Sequence, residues 1–158
     1  MLIKDIMTPQ PLKLSVENTV SDALAVLKSR KDIRHLPVTD NEELVGIVSE
    51  RDLRSILGYL TAMSERGRVE EADLLHYSVD RIMTRGVFTV TPDDSLMKAA
   101  RLFGERKIGA LPVVDGKRLV GIVSYTDLLN RFVIPVMLAD YEEVELCEAL
   151  PILEEPPF

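Results

Sequence analysis

The chain repeats itself. Ile6-Met7-Thr8 returns as Ile82-Met83-Thr84, and Leu36-Pro37-Val38-Thr39-Asp40 returns as Leu111-Pro112-Val113-Val114-Asp115. Leu44-Val45-Gly46-Ile47-Val48-Ser49 is matched by Leu119-Val120-Gly121-Ile122-Val123-Ser124, and Asp52-Leu53 by Asp127-Leu128. Several blocks in the same order at nearly constant separation mean two copies of one structural unit. The separation changes where Lys31-Asp32 stands against Lys107. That place lies just past a predicted helix, where an insertion is well tolerated.

Each copy has the same local pattern. Leu12 to Leu14 and Val87 to Val90 are short extended segments. Thr19 with Asp22 forms a capping box, and Val20, Ala23, Leu24 and Leu27 follow at helical spacing. Leu96, Ala99, Ala100 and Phe103 repeat that stripe in the second copy. Two apolar strands then flank a polar turn: Leu36–Thr39 and Leu44–Ser49 around Asp40-Asn41-Glu42-Glu43, Leu111–Val114 and Leu119–Ser124 around Asp115-Gly116-Lys117-Arg118. A second helix follows in each, from about Glu50 and from about Tyr125. The fold class is therefore α/β (α+β), built from two β-α-β-β-α units. A single unit would leave one sheet face bare, so the repeats are expected to pack as a pseudo-two-fold pair. The expected division is repeat 1 over 1–60, a linker over 61–78 with a short helix at Val69 to His76, repeat 2 over 79–135, and an acidic tail over 136–158.

Composition narrows the function classes. At 158 residues, with 46% hydrophobic and 28% charged residues, the chain reads as an ordinary soluble domain. No run approaches the ~20 apolar residues of a membrane span, and the start lacks a basic segment followed by an apolar one. One cysteine, Cys147, fits a reducing compartment, so the cytoplasm is the expected location. The net charge of −7 is local: every charged residue from Ala139 to Phe158 is acidic (Asp140, Glu142, Glu143, Glu145, Glu148, Glu154, Glu155). The remaining acids balance the 19 Lys and Arg. A neutral body, an acidic tail and only 5% aromatic residues argue against nucleic-acid and membrane partners.

Asp5-Ile6-Met7-Thr8, the capped helix, Ile33-Arg34-His35-Leu36-Pro37-Val38-Thr39-Asp40 and Leu44-Val45-Gly46-Ile47-Val48-Ser49-Glu50-Arg51-Asp52-Leu53 together resemble a CBS (cystathionine-β-synthase) domain. Val79 to Thr84, Ile108 to Asp115 and Leu119 to Leu128 match in the second copy. The two copies resemble the tandem arrangement called a Bateman module. The resemblance implies a regulatory module whose clefts bind AMP, ADP or ATP, or the related S-adenosylmethionine or NAD. It implies a regulatory ligand and no required cofactor. The motif it associates with nucleotide binding is Gly-h-h-Ser/Thr-x-x-Asp, with h apolar, present as Gly46-Ile47-Val48-Ser49-Glu50-Arg51-Asp52 and as Gly121-Ile122-Val123-Ser124-Tyr125-Thr126-Asp127. Implied cleft residues are Pro11, Arg34, His35, Pro37, Ser49, Arg51 and Asp52 in the first copy, and Val87, Ala110, Pro112, Ser124, Thr126 and Asp127 in the second.

The residue chemistry agrees with that implication. A strand ending in Ser and opening a helix places a hydroxyl beside free backbone N–H groups, a natural anion site. Asp52 and Asp127 would repel phosphate but suit the two hydroxyls of a ribose. Arg34, His35 and Arg51 can pair with phosphate. The second copy has Gly109, Ala110 and Thr126 at the matching places, so its cleft is expected to be less basic. The same Ser and Asp are also serviceable helix caps. The glycine before each Ser reads equally as room for a ligand or as tight packing between repeats.

Catalysis needs a nucleophile with its base, a carboxylate pair in a cleft, or a metal cluster. One cysteine and two histidines in unrelated contexts point to none of these, so no enzymatic activity and no metal site are expected. The competing reading is a ligand-free interaction scaffold. Leu53, Ile56, Leu57 and Leu60, with Leu128, Leu129, Phe132 and Val133, form two apolar stripes that predict a homodimer. The protein that such a module would regulate is not indicated by any residue.

Overall fold

A computed structural model describes residues 1–66, 76–133 and 135. In chain order its elements are β1 (Thr8–Pro9), β2 (Leu14–Ser15), α1 (Val20–Ser29), β3 (His35–Asp40), β4 (Glu43–Ser49), α2 (Glu50–Ser64), α3 (Leu96–Arg106), β5 (Ala110–Asp115), β6 (Arg118–Ser124) and α4 (Tyr125–Leu128). A π-helical stretch, Leu129–Val133, continues α4. Single 3-10 turns at Ile3–Asp5 and Val79–Arg81 open the two repeats. No helix among the described residues is long and apolar enough to cross a membrane.

Each helix starts where its cap says it should. Thr19 Oγ1 accepts from Asp22 N at 3.2 Å while Asp22 Oδ2 accepts from Thr19 N at 2.8 Å, a reciprocal box that satisfies two otherwise free donors. Ser95 does half of this for α3, accepting from Lys98 N. The apolar stripes then turn inward: Val20 and Ala23 of α1, and Leu96, Ala99 and Phe103 of α3, are buried. Lys31-Asp32 follows α1, which ends at Ser29, so the one-residue difference between the copies falls in a loop as expected.

The hairpins form with matching registers. β3 pairs antiparallel with β4 from His35↔Ser49 to Asp40↔Glu43, and β5 with β6 from Ala110↔Ser124 to Asp115↔Arg118. Both carry an irregularity at the same place, between Val38 and Thr39 and between Val113 and Val114. β4 and β6 meet edge to edge at Glu43↔Arg118, which joins everything into one six-stranded sheet.

The repeats are not self-contained. β1, which leads the first repeat, pairs with β6 of the second, Thr8 opposite Ile122 and Pro9 opposite Gly121. Reciprocally, Thr84 bridges Ile47 of β4. The swap extends outward: Ile3 N donates to Asp94 O at 3.0 Å and Lys4 N to Pro92 O at 2.9 Å, while Val79 N donates to Asn18 O and Val20 N to Tyr77 O, both at 2.8 Å. Two hydrophobic cores result, and each is completed by the other copy's leading segment. Val79 and Met83 pack with Leu14, Val20, Leu36, Val38, Val48 and Leu53. Ile3, with Ile6 and Met7 at its margin, packs with Val90, Ala99, Phe103, Leu111, Val113 and Val123.

Several expectations change in detail. The first extended segment forms a strand only at Leu14–Ser15, parallel to β3. Val87 to Val90 contributes a single bridge, Val90↔Val113, rather than a strand. α2 runs to Ser64, so the first residues read as linker are helical. The helix expected at Val69 to His76 falls outside the described residues except at His76, and the tail over 136–158 lies wholly outside them. Leu53, read as part of an exposed stripe, is instead 1% exposed in the first core, because the first turn of α2 lies against its own hairpin. Leu128 likewise packs at the margin of the second core. Of the remaining stripe, Leu129 and Phe132 are exposed and Ile56 and Leu57 are half-buried.

Candidate functional site

The end of each hairpin away from its turn holds a Ser–Asp pair. Asp52 Oδ2 accepts from Ser49 N at 2.9 Å and from Ser49 Oγ at 2.6 Å, while Ser49 Oγ accepts from Asp52 N at 3.1 Å. Asp127 and Ser124 reproduce this with 2.7, 2.7 and 3.3 Å. Both motif pairs are therefore real helix caps. In each, only Oδ2 is engaged; among the described residues no donor reaches Oδ1 of either carboxylate. Both aspartates are half-buried, and a hydrogen bond at a partly shielded residue is worth more than in open water.

The cap glycines have a packing role. A β-carbon built on Gly46 would lie 2.8 Å from Met83 Cγ and 3.1 Å from Thr84 O, and closer still to the Met83 sulfur. On Gly121 it would lie 2.7 Å from Met7 Sδ and 3.2 Å from Thr8 O. Each glycine thus makes room for the other repeat's leading segment. Close approach between the repeats, one of the two readings of these glycines, is met at both.

Around the caps the two ends differ. In the first, His35 lies opposite Ser49 across the hairpin, and Arg34 O accepts from Glu50 N at 2.9 Å, which brings Arg34, His35, Ser49 and Asp52 together. Arg34 and Arg51 are exposed and make no ion pair among the described residues. Burial holds the His35 imidazole below the ordinary histidine range; the Asp52 carboxylate pulls the other way and Arg34 adds to the lowering. In the second, Ala110 lies opposite Ser124, and Gly109 O accepts from Tyr125 N at 3.2 Å. Ala110 is buried and Thr126 exposed. Gly109, Ala110 and Thr126 stand there in place of Arg34, His35 and Arg51; Arg106 of α3 lies over the Phe88 ring, 4.8 Å from its centroid.

The other expected site residues are placed elsewhere. Pro37 and Pro112 are buried in mid-strand, opposite Ile47 and Ile122. Val87 lines a cavity of about 290 Å³ at the turn ends of the hairpins, with Leu44, Val45, Thr89, Val114 and Lys117. Pro11 follows Gln10, whose N–H donates to Val120 O at 3.2 Å beside β6. One feature was missed by the sequence reading: the His35 ring is seated directly over Gly109. Its signal in the sequence is a glycine where the other copy carries arginine, which by itself reads only as a lost charge.

The CBS domain family model matches residues 3–59 and 79–134, and the chain belongs to that family as a tandem CBS pair. A CBS domain-containing protein of Dictyostelium discoideum is 33% identical over 136 residues, covering 84% of this chain and 91% of the relative. The chain spans much less of several other curated relatives, 37% of an uncharacterized Methanocaldococcus jannaschii protein and 24% of a Methanosalsum zhilinae homoserine O-acetyltransferase. Among solved structures, CBSX2 in complex with AMP is 31% identical with a TM-score of 0.68, covering 86% of this chain and 98% of that one. The CBS domain pair of protein MJ0100, in complex with 5′-methylthioadenosine and S-adenosyl-L-methionine, is 28% identical with a TM-score of 0.69, covering 84% and 99%.

Proposed function

We propose that this chain is a regulatory module that binds adenosine-containing ligands at its two Ser–Asp ends and carries no catalytic activity of its own. The observation that supports it most is the repeated half-buried aspartate, with Oδ2 in a cap and Oδ1 without a partner among the described residues. A cap alone needs one oxygen. A ribose presents two adjacent hydroxyls, and the remaining oxygen accepts one of them without dismantling the helix start. Arg34, His35 and Arg51 supply phosphate partners at the first end. Two related CBS pairs hold AMP and S-adenosyl-L-methionine with 5′-methylthioadenosine, which are adenosine compounds of different charge.

Anything that binds only the folded state raises its apparent stability. A melting screen with AMP, ADP, ATP, NAD, S-adenosylmethionine and 5′-methylthioadenosine is expected to show at least one concentration-dependent rise. No rise with any of them would leave the scaffold reading in its place. That second reading has its own support in Tyr125, Leu129 and Phe132, which stay 49%, 41% and 40% exposed along α4 and its continuation. The same face carries the proposal of a homodimer, checked by the solution mass at micromolar concentration.

A further inference from the structure

In the second repeat Gly109 holds the place that Arg34 holds in the first, and it lies against the first repeat's histidine. A β-carbon built on Gly109 would sit 2.7 Å from Cε1 and 2.8 Å from Nε2 of His35. Packed atoms do not approach so closely, so a side chain at 109 requires the imidazole to shift from where it now lies. The glycine is held in place as well, since its carbonyl accepts from the N–H of Tyr125, the first residue of α4. The strand in turn places His35 at the helix cap. His35 lies opposite Ser49, and Ser49 is locked to Asp52 by the cap.

We propose that Gly109 is a positioning residue which, by lacking a side chain, seats the His35 imidazole beside the Ser49–Asp52 pair and so makes the first end select adenosine ligands that carry phosphate. This rests on the adenosine reading above and names the ligand class of one of its two sites. The second end has no counterpart, because Ala110 stands where His35 would be and is buried. Its ligand is an adenosine compound chosen without an imidazole, and therefore with weaker dependence on phosphate.

The charged groups acting on the ring are Asp52 on α2 and Arg34, the residue just before β3; the second repeat's contact, Gly109, is uncharged. With its affinity for protons lowered by burial, the unliganded ring is neutral near pH 7. A phosphate beside it favours the imidazolium, so a phosphorylated ligand takes up a proton on binding and binds better as pH falls through the histidine range. Adenosine brings no such charge, and its affinity stays flat.

The test uses ATP, AMP and adenosine titrated into the wild type, Gly109→Ala and His35→Asn at about pH 6 and 8. Both variants are expected to bind ATP and AMP about tenfold or more weakly at the first end, the loss of one hydrogen bond to a charged group, and to lose the pH dependence. Adenosine should change by less than about twofold. Independently of any ligand, the His35 ring should titrate higher in Gly109→Ala than in the wild type. The signal is readily assigned, since the chain has two histidines. Unchanged nucleotide preference and pH dependence in both variants, with the wild type binding, would overturn the proposal, as would an unchanged His35 titration in Gly109→Ala. A wild type that binds none of the three compounds overturns the adenosine reading and the ligand class together, even if the ring titration shifts as expected.

Discussion

The two Ser–Asp ends of the molecule share a skeleton and differ in what surrounds it. Ser49–Asp52 and Ser124–Asp127 make the same three hydrogen bonds within a few tenths of an ångström. Gly46 and Gly121 each accept an equivalent methionine, Met83 and Met7, from the opposite repeat. Beside them, one end presents Arg34, His35 and Arg51, and the other Gly109, Ala110 and Thr126. The shared residues are those the fold needs to cap its helices and clasp its halves. The residues that differ are free of that duty and are where ligand choice can be written. The cap alone accounts for Oδ2 of each aspartate; the support for binding lies in Oδ1, which the cap does not use.

The largest expected effect tests the clasp rather than the ends. Ile3 belongs by sequence to the first repeat but is fully buried in the second core. Ile3→Ala should cost about 2–5 kcal/mol in denaturant unfolding. Hydrogen exchange should show the loss of protection in β5 and β6 rather than in β3 and β4. Loss confined to the first hairpin would mean that the halves are not exchanged as described. Next come Gly46→Ala and Gly121→Ala, each expected to cost about 1–3 kcal/mol by overpacking. The first should be the more costly, since its built β-carbon meets Met83 more closely than that of Gly121 meets Met7. Equal and negligible costs in both would show that the methionines move aside freely.

Smaller effects sharpen the comparison at the ends. Ser49→Ala and Ser124→Ala remove equivalent caps and should each lower stability by about 0.5–2 kcal/mol, by similar amounts. A large difference between them would mean that the two caps are not equivalent. The smallest effect is one of pH. The folded-state pKa of His35 is lowered, so between that value and the ordinary value near 6.5 the unfolded chain binds more protons. Stability is therefore full above that window and falls as pH drops through it. His35→Asn should flatten this slope in melts taken across the window, and no change at the second end is expected to do so.

Much of this was legible in the sequence, for reasons that differ by feature. The hairpins could be read because apolar runs flank a polar turn twice, and the observed strands end within a residue of the expected bounds. The caps could be read because Thr19 and Ser124 each have an aspartate three residues on, the spacing at which the box closes. The exchange of leading segments was not legible. Ile3 and Val79 head copies that look alike, so packing on one's own helix and on the other's predict the same pattern of buried residues. Leu53 was misplaced because an apolar residue in a first helical turn faces its own hairpin or a partner with equal periodicity. The meeting of His35 and Gly109 was hidden for a related reason: it joins residues far apart in sequence, across the repeat boundary, where no local spacing records contact.

The central claim is that the aspartates serve ribose as well as helix. Calorimetric titration of AMP and ATP into the wild type, Asp52→Ala and Asp127→Ala tests it most directly. The account predicts that each change weakens binding at its own end by about 1.5–3 kcal/mol, the worth of a hydrogen bond to a charged group, with the stronger nucleotide site lost in Asp52→Ala. It also predicts a stability loss of about 0.5–2 kcal/mol from the broken cap in both variants. If both variants lose that stability and keep full affinity, the aspartates are caps and nothing more, and the claim is wrong.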